Sequence, residues 1–226
     1  MAFHNWEWEF DTSSGNWNQL AANNPGVAGR PWARAFGFWG QSYDPANQRL
    51  FFYSGQGNSS GSQGQLDSGF PFWTSDADLL QDLWVLNLTN RQWTALIPVT
   101  NHQPPVSGGE LVYYPPSDSL FQVGSQLSPA SSAALTNLVM RFGLSDGSTN
   151  FSNVLVAGTP PPLTPSSGLP RPFYNAAATN IICFLANGVY ALTPAATPAA
   201  IVVSNANYGF MMLCRNHLIS GASVTG

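Results

Sequence analysis

The stretch DLWVLNLTNRQWTAL, residues 82–96, consists of two short apolar runs around a polar turn and contains a tryptophan, Trp93, in its second run. Short runs rich in β-branched and aromatic residues and bounded by turn residues are typical of β-strands. Residues 5–20, NWEWEFDTSSGNWNQL, have the same layout, with Trp17 in the position of Trp93. The stretch therefore predicts a pair of strands that recurs elsewhere in the chain.

Other segments extend this pattern to units of four strands. Residues 33–98 contain four predicted strands and a long insert at 55–81, and without the insert the distance from Trp17 to Trp93 approaches the roughly 50 residues of one propeller blade. A weaker copy follows at residues 108–158, with Phe151 where the tryptophan is expected. We predict a single all-β domain over residues 1–226, completed by a degenerate unit at 171–205 and half units at 5–20 and 207–226.

The segment RPWARAFGFWGQSYDPANQRLFFYSGQG, together with DLWVLNLTN and Trp93, resembles a kelch repeat. In that family an Arg-containing first strand precedes a second strand ending in glycine, a third strand, and a fourth strand with a tryptophan. Positions of these kinds are occupied here by Arg34, Tyr53, Gly55, Trp84 and Trp93. The resemblance covers residues 1–126 and is weaker beyond them, and the usual glycine doublet is replaced by SGQG and VGSQ. It implies a kelch-like β-propeller, or a fragment of one, built of four-stranded antiparallel blades.

The two half units allow two kinds of closure. Residues 5–20 resemble a third and fourth strand, and residues 207–226 resemble a first and second strand, so the two segments can form one composite blade in a four-bladed ring. Alternatively, the chain is part of a larger propeller that is closed by other residues or by another chain. We favour the second alternative, because kelch-like blades usually occur in larger rings.

Charge is scarce in this sequence. Charged residues make up 8% of the chain and the net charge is −4, whereas about 25% is usual in soluble domains. This composition argues against nucleic acid and anionic membranes as partners, since both require dense positive charge. No apolar run is long enough for a transmembrane helix. A neutral surface favours an extracellular or secretory location or a packed assembly, although the first residues lack the features of a signal peptide.

The insert at 55–81 contains the candidate binding residues. Loops of this length are functional or disordered, and this one presents Phe70, Phe72 and Trp73, followed by Asp76 and Asp78. Exposed aromatic rings next to carboxylates can stack on a sugar ring or form a protein-binding hot spot. The alternative, which we weight slightly more, is that the aromatic residues fold back onto a blade. The spacing of the two acids does not match a known calcium loop.

No catalytic, metal or cofactor site is predicted. The three histidines, at 4, 102 and 217, are too scattered to gather ligands. Some kelch propellers are copper radical oxidases, but no motif in this chain places a Tyr, His and Cys together. We expect Cys183 and Cys214 to be buried thiols, with a single disulfide as the alternative. The Arg residues near strand ends, including Arg49 and Arg141, are expected to form structural ion pairs with carboxylates.

Three sequons permit glycosylation in a secretory protein, at Asn58, Asn87 and Asn150, but they occur at the frequency expected by chance. The sequence therefore predicts a non-catalytic binding or structural module whose loops recognise a protein or a glycan. The alternatives are a propeller enzyme of the carbohydrate-active or copper radical oxidase type and a subunit of an extracellular assembly. Trp17, Trp84, Trp93, Phe151 and Gly55 are assigned structural roles.

Overall fold

A computed structural model of the protein describes residues 7–21, 29, 31, 40–53, 82–98, 110–126, 135–158, 171–185, 188–194, 200–205, 213–214 and 217–218. Regular structure in these residues is β-strand, apart from one turn of 3-10 helix at Pro115–Ser117. The prediction of an all-β fold is confirmed. Across this described part of the chain, no helix has the length and apolar character needed to cross a membrane.

Three sheets form the body of the protein. The first sheet has the order β3-β4-β5-β6, with strands at Gln41–Asp44, Arg49–Tyr53, Leu83–Asn87 and Gln92–Ile97. The second sheet has the order β7-β8-β9-β10, with strands at Glu110–Tyr114, Ser119–Gln126, Leu135–Gly143 and Ser152–Asn153. Both sheets are antiparallel, and consecutive strands are neighbours.

The third sheet has one strand more. Its order is β11-β15-β14-β13-β12, with strands at Leu155–Gly158, Ala200–Asn205, Gly188–Pro194, Asn180–Leu185 and Arg171–Asn175. Strands β12 to β15 form an antiparallel meander, whereas β11 pairs with β15 in parallel. The parallel strand follows directly after β10, so the chain passes from the second sheet to the far edge of the third.

Two hairpins complete the described structure. The N-terminal hairpin pairs β1, Glu7–Asp11, with β2, Asn16–Ala21. The C-terminal hairpin pairs β16, Leu213–Cys214, with β17, His217–Leu218. In this structure each hairpin is a separate two-stranded sheet.

One type of turn recurs in five strand pairs. A loop of four residues joins β1 to β2, β3 to β4, β5 to β6, β7 to β8 and β12 to β13. In each case the last loop residue has a positive φ, at Gly15, Gln48, Arg91, Asp118 and Thr179. Four of these turns begin with an Asp or Asn whose side-chain oxygen accepts the backbone N–H two residues later, at Asp11, Asp44, Asn87 and Asn175. Such side chains mimic a backbone turn and fix its geometry.

The sheets are stacked through their first strands, because β7 contacts both β3 and β12. The second sheet is therefore buried on both faces, as alternate side chains of a strand point to opposite sides. One core contains residues of the first and second sheets, among them Phe51, Tyr53, Leu111, Tyr113 and Leu120. A second core contains residues of the second and third sheets, among them Val112, Tyr114, Phe121, Ile181 and Cys183.

Candidate functional site

The N-terminal hairpin repeats the β5–β6 pair of the first sheet residue by residue. Each of its five strand pairings is matched by the pairing 76 positions further along, from Glu7↔Ala21 against Leu83↔Ile97 to Asp11↔Asn16 against Asn87↔Gln92. The two pairs share an irregularity in register after their first residue. They also share the turn, because Gly15 and Arg91 both have a positive φ. By this match Trp8 corresponds to Trp84, and Trp17 to Trp93.

Corresponding tryptophans differ sharply in exposure. Trp84 is 7% exposed, and its indole N–H donates to Asp82. Trp8 is 49% exposed and Trp17 is 65% exposed. Because Phe10 lies opposite Trp17 and two residues from Trp8, these three aromatic side chains share one face of the hairpin. We call this face the aromatic surface, defined by Trp8, Phe10 and Trp17.

The opposite face of β1 is attached to the first sheet. The indole N–H of Trp93 donates to Glu7 Oε1 at 2.5 Å, and Arg91 Nη2 donates to Glu9 Oε2 at 2.6 Å. Glu7 and Glu9 are two residues apart and therefore lie on the side of β1 away from Trp8 and Phe10. The aromatic surface consequently lies on the side of the hairpin that faces away from the first sheet.

The turn of the N-terminal hairpin is held by Asp11. Its carboxylate accepts hydrogen bonds from the hydroxyls of Ser13 and Ser14 and from the backbone N–H of Ser13. These bonds hold the pKa of Asp11 well below its ordinary value, the Ser13 hydroxyl contributing most. The hydrogen bonds give the ionised side chain a structural role at the end of the aromatic surface.

A polar cluster of four side chains joins the first sheet to the second. Arg49 Nη2 lies 2.7 Å from both Asp44 Oδ2 and Asp118 Oδ1. Tyr113 donates its hydroxyl to Asp118 Oδ1 at 3.0 Å, and its ring lies 5.6 Å from the Arg49 guanidinium carbon. Asp44 is fully buried, so its charge requires the nearby cation. The prediction that Arg49 forms a structural ion pair is confirmed.

The ionisation of this polar cluster follows from its contacts. Burial alone would raise the pKa of Asp44, but hydrogen bonds from Asn47 and Arg49 outweigh it and hold the pKa below its ordinary value. Burial, followed by the hydrogen bond to Asp118, raises the pKa of Tyr113 to about 12. At neutral pH Asp44 is therefore an ionised carboxylate beside the Arg49 guanidinium, and Tyr113 is a neutral phenol.

The side chains of this polar cluster lack the properties of a general base. A general base needs a proton to abstract and a pKa near the working pH, whereas Asp44 is ionised and engaged by Arg49, Asn47 and backbone N–H groups. Arg49 is in turn engaged by Asp44, Asp118 and Tyr113. Within the described ranges, no group of three or more His, Cys, Asp or Glu side chains could hold a metal ion.

The candidate binding residues of the insert, Phe70, Phe72, Trp73, Asp76 and Asp78, lie outside the described residues, as do Gly55 and the sequon residue Asn58. Their assignment stays a prediction.

Among the residues assigned structural roles, Phe151 precedes β10 and is 7% exposed. Its ring lies 4.5 Å from that of Tyr53 and 5.6 Å from that of Phe142, so it packs between the first and second sheets. Trp93 is half-buried, with its ring 5.2 Å from that of Phe52. Trp17 and Trp93 therefore have different environments. Trp17 contributes to the aromatic surface, and Trp93 contributes to the contact between the hairpin and the first sheet.

The structure describes two of the three sequon asparagines and one of the two cysteine side chains. Asn87 Oδ1 accepts backbone N–H groups of Thr89 and Asn90 and so holds the β5–β6 turn. Asn150 is exposed. Cys183 is a buried free thiol, as predicted, and burial raises its pKa to about 12. The side chain of Cys214 lies outside the described part of the structure.

The aromatic surface was not predicted from the sequence, although a signal for it was present. The runs WEFDTSSGNW and WVLNLTNRQW both have tryptophans at their first and last positions. The predicted repeat rests on the second tryptophan of each run, Trp17 and Trp93, and does not use the first, Trp8 and Trp84. Aligning Trp8 with Trp84 identifies a second pair of tryptophans at equivalent strand positions.

No protein-family model matches the chain, and no curated protein matches it. A solved structure to which the chain is similar is that of a structural genomics protein of unknown function from Bacteroides thetaiotaomicron VPI-5482. The identity is 12% and the TM-score is 0.41, and the match covers 84% of this chain and 35% of that one. The chain thus spans about a third of the length of that protein.

Proposed function

We propose that the chain is a non-catalytic protein-binding module with a kelch-like β-propeller architecture. The architecture is supported by the stacking of antiparallel sheets through their first strands, with β7 between β3 and β12. It is also supported by the turn that recurs at corresponding positions of the first, second and third sheets. In this proposal the described sheets are successive blades.

The aromatic surface is the observation that carries the binding role. Trp, Tyr and Phe are enriched at protein interfaces, where they bury a large area with few rotatable bonds. Trp8, Phe10 and Trp17 are contiguous, each about half exposed or more. The polar contacts of Glu7 and Glu9 fix the hairpin from behind, so that these rings are presented on a fixed support.

A protein partner is favoured over a glycan by the angle between the rings. The planes of Phe10 and Trp17 are inclined at 46°, with centroids 5.1 Å apart. Tilted rings form an uneven apolar surface suited to side chains, whereas stacking on a pyranose ring uses one flat ring face. Glycan binding through the insert at 55–81, an extracellular location and membership of an extracellular assembly stay predictions.

The binding role is tested by site-specific photocrosslinking. A photoreactive phenylalanine analogue placed at residue 17 should give one dominant protein adduct in extracts of the source organism. The same analogue at Leu88, which is exposed at the turn of the corresponding hairpin, serves as the matched control and should not give that adduct.

Competition distinguishes binding to a specific partner from nonspecific adsorption. Unlabelled wild-type protein should suppress the residue-17 adduct, and a Trp8→Ser/Trp17→Ser variant with unchanged thermal stability should not. Equal adducts from residues 17 and 88, or equal competition by both proteins, would remove the basis of the proposal. Retention of the wild type on a neutral glycan, lost in the double variant, would assign the surface to glycans instead.

A further inference from the structure

The first tryptophan of the aromatic surface differs from its counterpart in the acceptor that its own strand provides. Trp84 donates its indole N–H to Asp82 Oδ2 at 2.5 Å, and both side chains are buried. Trp8 has the equivalent position in the N-terminal hairpin, where the residue two places earlier in the sequence is Trp6. Because an indole ring has a donor and no acceptor, that position supplies no carboxylate to Trp8. Its N–H is therefore available to a partner.

The second tryptophan differs from its counterpart in what lies in front of it. Trp93 donates its indole N–H to Glu7 Oε1 at 2.5 Å, across the contact between the first sheet and the hairpin. The ring of Phe52 lies 5.2 Å from that of Trp93 at an angle of 53°. The ring of Phe10 lies 5.1 Å from that of Trp17 at 46°, so the two indoles have similar ring neighbours. Trp17 is nevertheless 65% exposed, and among the residues that the structure describes no side chain accepts its N–H.

The strand that covers the first sheet shows which chemistry this position accepts. β1 is extended and carries carboxylates at alternate residues, Glu7 and Glu9, on the side that contacts Trp93 and Arg91. The hairpin and the β5–β6 pair have the same register, the same irregularity and the same turn. The aromatic surface therefore presents Trp17 to an approaching segment as the first sheet presents Trp93 to β1. An extended segment with a carboxylate opposite Trp17 would repeat the contact.

The turn of the hairpin changes the charge that a partner should carry next to this carboxylate. Arg91, the cation that pairs with Glu9, is replaced in the hairpin by Gly15. The hairpin turn instead begins with Asp11, whose pKa is held well below its ordinary value by hydrogen bonds, where the first sheet has the neutral Asn87. A second acid nearer the turn would therefore meet a negative charge where Glu9 meets a positive one, and such contacts are unfavourable. A neutral or basic residue fits that position.

We propose that the aromatic surface binds an extended segment of a partner protein, which places a Glu or Asp carboxylate on the indole N–H of Trp17. Two residues nearer the turn of the hairpin, this segment has a neutral or basic side chain. Its apolar side chains lie over Trp8 and Phe10, and the carboxylate fixes its register, since aromatic rings supply contact area and a charged hydrogen bond supplies geometry. The proposal rests on the binding role of the aromatic surface and specifies the partner that the surface accepts.

Selection from a peptide library tests this chemistry before the partner is known. Thioether-cyclised hairpin peptides with randomised strand positions are selected on the full chain and, separately, on the Trp8→Ser/Trp17→Ser variant. Peptides that require the two tryptophans should be enriched in Glu or Asp at one position, with acid-x-Lys and acid-x-Arg more frequent than acid-x-acid. Enrichment without acids would refute the proposed partner and leave the binding role intact. Absence of any peptide that requires the two tryptophans would contradict both.

A double-mutant cycle then assigns the carboxylate to Trp17. Residue 17 is replaced by benzothienylalanine, which keeps the shape of the indole and has sulfur in place of the N–H, and the acid of a selected peptide is replaced by its amide. The amide peptide should bind the wild type about tenfold more weakly than the acid peptide, and the two should bind the substituted protein equally. The same replacement at Trp93, on the covered face, is the matched control and should leave the tenfold difference in place. A difference that persists in the residue-17 variant, or that disappears equally in the residue-93 variant, would overturn the assignment.

Discussion

Replacing Arg49 with Met should lower the free energy of unfolding by about 3 kcal/mol. Removing one partner of a buried ion pair typically costs about 3–5 kcal/mol, because the other charge is left without compensation. Asp44 is fully buried, but it keeps hydrogen bonds from Asn47 and the backbone. Asp118 is partly exposed and can be hydrated. Both facts place the expected cost at the lower end of the range.

The effect should depend on pH in a defined direction. The folded state holds the pKa of Asp44 below its ordinary value, so the stability contributed by this carboxylate is present above the unfolded pKa of about 3.9 and is lost as the pH falls through the folded value. Arg49→Met lacks one of the hydrogen bonds that lower the pKa of Asp44, so it loses less stability than the wild type as the pH falls. The difference between wild type and Arg49→Met should therefore be largest near neutral pH and shrink as the pH falls below about 4, toward the folded pKa of Asp44.

Urea denaturation at pH 7 and at about pH 3 measures this difference. At pH 7 the melting temperature should fall by about 6–12 °C for a chain of this size. Arg91→Met is the matched control, because the Arg91–Glu9 pair is exposed on both sides and such pairs contribute about 0.2–1 kcal/mol. If Arg49→Met costs no more than Arg91→Met, or if its cost grows as the pH falls, the polar cluster does not stabilise the junction in the way described.

Three further predictions concern the packing of two sheets, one turn and a buried thiol. In Gly40→Ala the new Cβ would lie 2.8 Å from the Leu111 Cβ, so we expect a loss of about 1–3 kcal/mol from overpacking; an unchanged urea midpoint would contradict the close approach of the two sheets. Thr179 has a φ of 52°, which is unfavourable for a β-branched residue, so Thr179→Gly should be neutral or stabilising by up to about 1 kcal/mol. Ala178→Gly in the same turn should destabilise, and the reverse order of the two variants would refute the argument. Cys183 is buried with a raised pKa, so with the second thiol replaced by Ser it should react with a thiol reagent at pH 8 only after unfolding; rapid labelling of the native protein would contradict its burial.

The strands and turns were largely predictable because their causes are local. Asp44 and Asn87 precede loops whose geometry their side chains fix, and the apolar runs after those loops are short and bounded by turn residues. The repeat was found through Trp17 and Trp93, which have equivalent positions in the two hairpins. Patterns that repeat within a few residues can be identified without knowledge of the fold.

Features that depend on distant parts of the chain were not predictable. Strand β11 pairs in parallel with β15 across more than a whole meander, and nothing in Leu155–Gly158 records that partner. The run EWEF alternates acids and aromatic residues, a pattern that predicts two different faces of β1. Which face is exposed depends on the position of Trp93 and Arg91 in another sheet. The local sequence therefore predicts that β1 has an aromatic face, whereas the exposure of that face depends on the order of the sheets.

The three stacked sheets have the same orientation along the stack. This common orientation limits how copies of the protein associate through the two ends of the stack. Leu120 and Ile181, at corresponding positions of β8 and β13, both belong to the core on the side of the preceding sheet. The two ends of the stack are consequently different surfaces, so a contact between one end of one copy and the opposite end of the next would be heterologous, whereas a contact between like ends would have two-fold symmetry. Heterologous contacts either close into rings or continue into filaments. A substitution that enlarges the apolar area at one end alone should therefore promote two-fold dimers through like ends, and fibres would require complementary changes at both ends.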